Sequence, residues 1–471
     1  MMIKIALPKG RLLGETSALF ERANWELSGY QEKIRFYRFE CGRFPGLSAK
    51  VFHEKDIPIQ VAVGNYDLGI CGLDWAEELL VKYPASDLVK VKDLGYGARA
   101  LYMAGSRRGG VATIEEVKEK PDTVRIVSEY PNLATAFAAG IRLKRFCVFP
   151  LWGAAEVYPP ESADLVLVPG DKGVVSLDGL MVMDKILDST AVLIANKTSW
   201  ETKDMKEVLA SIYGSLVDGQ GQPGPVAVVV TETGEQYCPP QVDGDIVRLA
   251  LADGHQQEPT RQLLEKAGIT VNDYPSSSQN RRPVVGLDGV AIKVIRPQDM
   301  PSQVANGNFD LAITGRDWLK NHLYQFPQSP VEELLDLKYG AVRIVAVVSN
   351  DLAIDDAEGL RHLSAGRTEP IRVASEYVNI ADKYARDNHL GHYRVVPTWG
   401  ATEAFLPEDA DLLIENTETG QTIARHNLKI IDTLFRSTAC LIGGKDTAFS
   451  AVKNRRLGSI VETLRRAVEV S

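Results

Sequence analysis

Tyr66-Asp67-Leu68-Gly69-Ile70-Cys71-Gly72-Leu73-Asp74-Trp75 is an apolar run between two carboxylates. The chain writes it again 243 residues later, as Phe309-Asp310-Leu311-Ala312-Ile313-Thr314-Gly315-Arg316-Asp317-Trp318. Asp56-Ile57-Pro58 precedes the first run and Asp299-Met300-Pro301 the second, at the same offset. Working outward, Ile5-Ala6-Leu7-Pro8-Lys9-Gly10 meets Leu249-Ala250-Leu251-Ala252-Asp253-Gly254 at an offset of 244. Val124 to Tyr130 meets Ile371 to Tyr377, and Trp152-Gly153-Ala154-Ala155-Glu156 meets Trp399-Gly400-Ala401-Thr402-Glu403, both at 247. Asp188-Ser189-Thr190-Ala191 meets Arg436-Ser437-Thr438-Ala439 at 248. Collinear matches with a slowly drifting offset mean a tandem duplication. A unit of about 220 residues is too long for a solenoid repeat, so each copy is expected to fold on its own.

Within each copy, short β-rich runs alternate with amphipathic segments, which predicts an α/β fold with largely parallel sheets. Ile3 to Leu7 reads as a strand, Gly14 to Ala23 as a helix, and Leu68 to Cys71 as a buried strand. Asp56 and Asp74 read as helix N-caps, with Pro58 in the first turn of a short helix ended by Gly64. Two lobes per copy, crossed near Tyr96–Met103 and again near Ala191–Ala195, predict a bilobed cleft. The expected first copy spans 1–218, with lobe I at about 1–97 and 189–218 and lobe II at about 98–188. A helical stretch near Thr202 to Val217 closes it. A linker at 219–245 carries the break Gly219-Gln220-Gly221-Gln222-Pro223-Gly224-Pro225 and an extra strand at Val226 to Val230. The second copy spans 246–471, with lobe I at about 246–340 and 437–471 and lobe II at about 341–436.

Composition narrows the function. A 471-residue chain that is 45% hydrophobic and 24% charged is neither disordered nor fibrous. No apolar run approaches the roughly 18 residues of a membrane span, and the amino terminus has no secretory pattern, so the expected compartment is the cytoplasm. Its five cysteines are scattered without a Cys-x-x-Cys pair and read as buried thiols. A net charge of −9 argues against nucleic acid and acidic lipid as partners, so an anionic ligand must be held by a local basic pocket.

Two stretches can carry chemistry. Asp411-Leu412-Leu413-Ile414-Glu415-Asn416-Thr417-Glu418-Thr419-Gly420-Gln421-Thr422 reads as an apolar strand ending in a carboxylate and opening into a Thr/Gly loop. Ile423, Ile430, Ile431, Leu434 and Phe435 recur at helical spacing and predict a helix behind it. Strand, loop and helix start together make an anion cradle, with Glu415 able to accept ribose hydroxyls or hold Mg²⁺. The plainer reading is a capped turn in which Thr417 and Thr419 serve only as caps. Leu7-Pro8-Lys9-Gly10-Arg11-Leu12 places two cations at the carboxyl end of the first strand, where open α/β sheets bind ligands. Its plainer reading is a solvated turn. Trp152 and Trp399 read as packing residues, and the histidines, His389 and His392 included, form no ligand cluster.

Together these pieces resemble the ATP phosphoribosyltransferases, enzymes that join ATP and phosphoribosyl pyrophosphate (PRPP) at the first step of histidine biosynthesis. The resemblance rests on Leu7 to Leu12, on Asp56-Ile57-Pro58 with Asp67 to Asp74, and on Glu418-Thr419-Gly420-Gln421-Thr422 followed by Asn427-Leu428. It covers nearly all of both copies. It implies a fold like the type II periplasmic binding proteins, and a Mg²⁺-dependent reaction in which N1 of adenine attacks the anomeric carbon, with inversion, and pyrophosphate leaves. PRPP is then expected on Glu415, Thr417, Glu418, Thr419, Gly420, Gln421 and Thr422, with Glu415 as a Mg²⁺ ligand. The nucleotide is expected on Lys9, Gly10, Arg11, Asp317 and Glu403, and catalytic charge from Arg296, Arg281, Lys9 and Arg11. Such a reaction needs fixed positive charge and alignment of two substrates rather than a nucleophilic side chain.

The copies depart from that pattern in complementary places. Copy two has Ala252-Asp253-Gly254-His255 in the opening turn, a swing of three charges from Lys9 and Arg11. Copy one has Val168 opposite Glu415, Gly170 opposite Thr417, Lys172 opposite Thr419 and Val175 opposite Thr422. It also has His53 opposite Arg296, and Arg38 opposite Arg281. This predicts an internal pseudo-dimer with one PRPP site, in copy two, that Lys9 and Arg11 of copy one either complete or do not reach. The sequence leaves other readings standing: a duplicated non-catalytic nucleotide-binding regulator, a solute-binding module of the same fold, or a phosphoribosyltransferase for another acceptor. Short members of the family work with a synthetase-like regulatory subunit and long ones carry a histidine-binding domain. The second copy therefore either replaces such a partner or works beside one, alone or in a further homo-oligomer.

Overall fold

The computed structural model describes residues 2–31, 37–107, 113–171, 179–216, 244–275, 280–400, 402–445 and 449–469. The expected linker and its extra strand lie outside these. The first half runs through strands β1 (Ile3–Pro8), β2 (Arg38–Glu40), β3 (Leu47–Phe52), β4 (Leu68–Gly72), β5 (Leu88–Asp93), β6 (Arg99–Ser106), β7 (Val124–Ser128), β8 (Phe146–Pro150), β9 (Leu165–Asp171), β10 (Leu180–Ser189) and β11 (Ala191–Asn196). The second half runs through β12 (Val247–Ala252), β13 (Val271–Asn272), β14 (Val284–Val285), β15 (Val290–Ile295), β16 (Leu311–Gly315), β17 (Val331–Asp336), β18 (Val342–Ser349), β19 (Ile371–Ser375), β20 (Tyr393–Pro397), β21 (Leu412–Thr417), β22 (Leu428–Ser437) and β23 (Ala439–Gly444). The chain forms two compact units. Unit one comprises Met1–Leu151, Tyr158–Gln236 and Trp399–Ala404, and unit two comprises Trp152–Val157, Tyr237–Thr398 and Phe405–Ser471.

Each unit holds two sheets. In unit one their orders are β2-β3-β1-β4-β11-β5 and β10-β6-β9-β7-β8; in unit two they are β15-β12-β16-β23-β17 and β20-β19-β21-β18-β22. The parallel core β3-β1-β4 is crossed by one antiparallel strand, β11, that returns from the other lobe. In the second sheet β7 runs parallel to β8 and β9 while β6 is the antiparallel insert. This is the bilobed type II periplasmic-binding topology, present twice. Strands such as Leu68–Gly72 and Leu311–Gly315 are buried along their whole length, which explains their continuous apolar character.

One device recurs at the start of a central strand in all four lobes. Asp67, Asp164, Asp310 and Asp411 each precede a leucine that opens the strand. Each accepts the backbone N–H of a residue on the parallel neighbour: Lys4 (2.9 Å), Arg125 (2.7 Å), Arg248 (2.8 Å) and Arg372 (2.9 Å). A cation completes each site: Lys203, Lys120, Lys453 and Arg367. The carboxylate satisfies an N–H that the sheet leaves unpaired at its end.

Several local expectations change. Ile430, Ile431, Leu434 and Phe435 lie on the strand β22, not on a helix, and the helix after the loop is only Gln421–Arg425. Register shifts against β18 pass over Leu434 and Ile431, so two extra residues stretch the alternation into an apparent helical spacing. Asp56 stands at an N-cap position without a side-chain cap, and Gly72, not Asp74, precedes the next helix. Cys41, Cys71 and Cys440 are buried as expected, but Cys147 is exposed. Among the described residues no helix is long and apolar enough to cross a membrane.

Candidate functional site

Unit two carries the threonine loop at the carboxyl end of β21, where the short helix Gln421–Arg425 begins. Thr417 is buried, and its Oγ1 accepts the Gly420 N–H at 2.9 Å; Thr419 Oγ1 accepts the Gln421 N–H at 3.3 Å. Gly420 takes φ +80°, a left-handed turn that glycine adopts without strain. Glu418, Thr419, Gln421 and Thr422 are exposed and Glu415 is half-buried, its Oε1 accepting the Asn416 N–H at 2.9 Å. The threonines do cap the loop, yet a capping hydroxyl keeps one O–H to donate. The five-residue helix behind it supplies little dipole, so side chains must carry the charge. Arg343, opposite Thr417 in the β18–β21 register, does so: its Nη2 lies 3.9 Å from where a Cβ on Gly420 would stand.

Asn416 extends this site inward. Its Nδ2 donates to Tyr377 Oη at 2.9 Å, Tyr377 donates to Asp317 Oδ2 at 2.6 Å, and Ser437 Oγ donates to Asp317 Oδ1 at 2.7 Å. Burial, then the Asp317 charge, pushes the Tyr377 phenol well above its ordinary pKa, so it stays a donor. Unit one solves the same position differently. Arg99 donates to Tyr130 Oη at 2.8 Å and also forms a salt bridge with Asp74, which Tyr130 bonds at 2.9 Å. Asp74 is thus neutralised by a guanidinium that unit two lacks, Val342 standing where Arg99 does.

Two arginines of unit two meet at Asp253. Its carboxylate accepts Arg281 Nη1 at 2.5 Å and Arg296 Nη1 at 3.1 Å. Arg296 also lies against Gly153, where an added Cβ would meet its Nε at 3.0 Å. Arg282 donates to the Val157 carbonyl at 2.8 Å. In unit one Arg11 donates to the Gly97 carbonyl at 2.7 Å and pairs with Glu54 at 3.1 Å. His53 is held neutral, its pKa pushed down to about 4 by burial and then by Lys55, Lys9 and Arg99. The swing of three charges read from the opening turns is therefore offset locally. Lys9 and Arg11 against Glu54 leave one net positive charge, and so do Arg281 and Arg296 against Asp253. The cations have moved from the turn to the neighbouring elements. The residue opposite Arg281 is Tyr37 rather than Arg38, because the Tyr37 carbonyl accepts Val51 N–H as the Arg281 carbonyl accepts Val294 N–H.

The profile of the family HisG: ATP phosphoribosyltransferase matches residues 53–216 and again 296–466. The chain belongs to the ATP phosphoribosyltransferase family. A protein named ATP phosphoribosyltransferase from Prosthecochloris aestuarii is 30% identical over 228 residues, 47% of this chain and 72% of that protein. One of the same name from Geotalea daltonii is 30% identical over 230 residues, 48% of this chain and 73% of that one. The solved ATP phosphoribosyl transferase (HisG:HisZ) complex from Thermotoga maritima matches 48% of this chain and 100% of its own at 20% identity, with a TM-score of 0.39. The family is one of pentosyltransferases, and its domain appears twice here.

Against this family's expected site, unit two brings together Glu415, Thr417, Glu418, Thr419, Gly420, Gln421 and Thr422 on one loop, and Arg281 with Arg296 on one carboxylate. Lys9, Gly10 and Arg11 belong to unit one. So does Glu403, beside the Tyr37 hydroxyl at 3.4 Å; burial, then Glu403, pushes that phenol up to about 12. The register confirms that Val168 stands where Glu415 does, each opposite the same position of the inserted strand (Tyr102 and Val345). Lys172 and Val175 lie outside the described residues. Arg343 and Asn416 were missed because each sits inside a strand pattern, and only strand pairing shows what they face. No group of three histidine, cysteine or acidic side chains among the described residues could hold a metal ion. A lone half-buried Glu415 still fits Mg²⁺, which takes most of its ligands from substrate phosphates and water.

Proposed function

We propose that this chain is an ATP phosphoribosyltransferase that transfers the phosphoribosyl group of PRPP to N1 of ATP, releasing pyrophosphate, in L-histidine biosynthesis, with one functional PRPP site, in the second copy. The observation that carries this reading is the loop from Glu415 to Thr422. Its outer residues, Glu418, Thr419, Gln421 and Thr422, are exposed at the end of a central strand beside Arg343, whereas Val168 and Pro169 replace its carboxylate and amide in the first copy.

The hydroxyls of Thr417, Thr419 and Thr422 donate to the 5′-phosphate, with Arg343 supplying charge. Glu415 accepts the ribose hydroxyls, which fixes the sugar and its anomeric carbon. Bound Mg²⁺, with Glu415 as its protein ligand, would supply neutralising charge to the pyrophosphate. Arg281 and Arg296 grip the leaving pyrophosphate, concentrating charge where it develops as the glycosidic bond breaks. The adenine lies on the side of Asp317, whose buried carboxylate, bound by Tyr377 and Ser437, orients the exposed Asn416 through Tyr377 toward the base. The reaction proceeds in the cytoplasm, where both substrates are anions that these fixed cations collect.

An absorbance assay of the purified chain with ATP, PRPP and Mg²⁺ tests the reading. Product is expected without any added regulatory subunit. No product with or without one, together with no PRPP binding by calorimetry, would end it.

A further inference from the structure

Asp253 replaces a lysine of the first copy and, from sequence, looks like a defect beside polyanionic substrates. Its surroundings indicate a different role. The carboxylate is held by the Gly254 N–H at 2.7 Å and Gln257 Nε2 at 3.1 Å, at the end of β12. One of its oxygens, Oδ2, receives both Arg281 and Arg296. The two guanidiniums reach it from anchored backbone: the Arg281 carbonyl accepts the Val294 N–H at 2.9 Å, and Arg296 follows β15 directly. Burial would raise the carboxyl pKa, but the Arg281 hydrogen bond and the charges of Arg281 and Arg296 hold it below the usual range.

We propose that Asp253 is a positioning residue that holds Arg281 and Arg296 side by side, so that they meet the pyrophosphate group of PRPP as a pair. Without the carboxylate, two like charges would separate and each would lose orientation. The first unit has Lys9, Tyr37 and His53 at these three positions, so the device belongs to the second unit alone. The inference rests on the donor-site reading above, but its test needs no chemistry.

The sign of one substitution decides between the two roles. If Asp253 only repels anions, Asp253→Asn must tighten binding of inorganic pyrophosphate to the full chain. If it positions the arginines, the same variant weakens binding about tenfold, and Asp253→Glu recovers most of it. Calorimetry with pyrophosphate reads both, with thermal unfolding of each variant alongside. In an Arg281→Ala background, Asp253→Asn is expected to lose most of its effect. Unchanged or tighter binding in Asp253→Asn, an undiminished effect in the Arg281→Ala background, or no pyrophosphate binding by the unsubstituted chain would overturn the proposal. Pyrophosphate binding without turnover would leave it standing and remove the transferase reading instead.

Discussion

Glu78, on the helix Leu73–Lys82, accepts the N–H groups of Asn132 at 2.8 Å and Leu133 at 2.9 Å, tying one lobe of unit one to a helix start in the other. Burial raises its pKa from 4.5 to about 7, although the two N–H donors pull the other way. In unit two the neutral Asn321 does the same work, its Oδ1 accepting Asn379 N–H at 3.0 Å and Ile380 N–H at 3.2 Å. A carboxyl whose folded pKa is raised holds more protons folded than unfolded, so its contribution falls as pH rises from about 4.5 to about 7. Glu78→Gln is therefore expected to stabilise the protein by about 1–3 kcal/mol at pH 8, with the two melting curves converging below about pH 4.5. A pH-independent difference in Tm would contradict this. At the donor loop, Thr419→Ala removes a hydroxyl that can bond a charged phosphate, worth about 1.5–3 kcal/mol. PRPP affinity should fall roughly tenfold to a hundredfold by calorimetry, with the unfolding temperature unchanged because Thr419 is exposed. Equal affinity would place the phosphate elsewhere.

At the scale of elements, the four Asp-Leu strand starts act as staples between a strand start, its parallel neighbour and a cation from another segment, which only for Asp310 lies on the last helix. In unit two Asp310 joins Arg248 on β12 to Lys453 on the helix Ala451–Glu469, and both partners of the Asp310–Lys453 pair are almost fully buried. Asp310→Ala strands a buried ammonium and should cost about 3–5 kcal/mol, read as an earlier denaturant transition of unit two. A loss below about 1 kcal/mol would mean that water reaches Lys453. The strand β22 shows the opposite limit of pattern reading. Its two bulges mimic a helical period, so apolar spacing alone selects the wrong element, whereas pairing with β18 admits only a strand.

For the whole molecule, the duplication has left unit two with the threonine loop and unit one with Val168 and Pro169 at its root. PRPP should therefore bind with a stoichiometry of one per chain, and Thr419→Ala should weaken that single event rather than one of two. Two equivalent binding events would refute a single donor site.

The repeat, the α/β class and the loop from Glu415 to Thr422 were legible in the linear order of residues, because strand burial, turn chemistry and duplication all write themselves as local pattern. The partners of charges were not. That Asp253 holds two arginines, that Tyr37 and not Arg38 stands opposite Arg281, and that Arg343 faces Thr417 depend on strand register and on elements far apart in the chain. Electrostatic roles follow distances in space, and folding alone sets those.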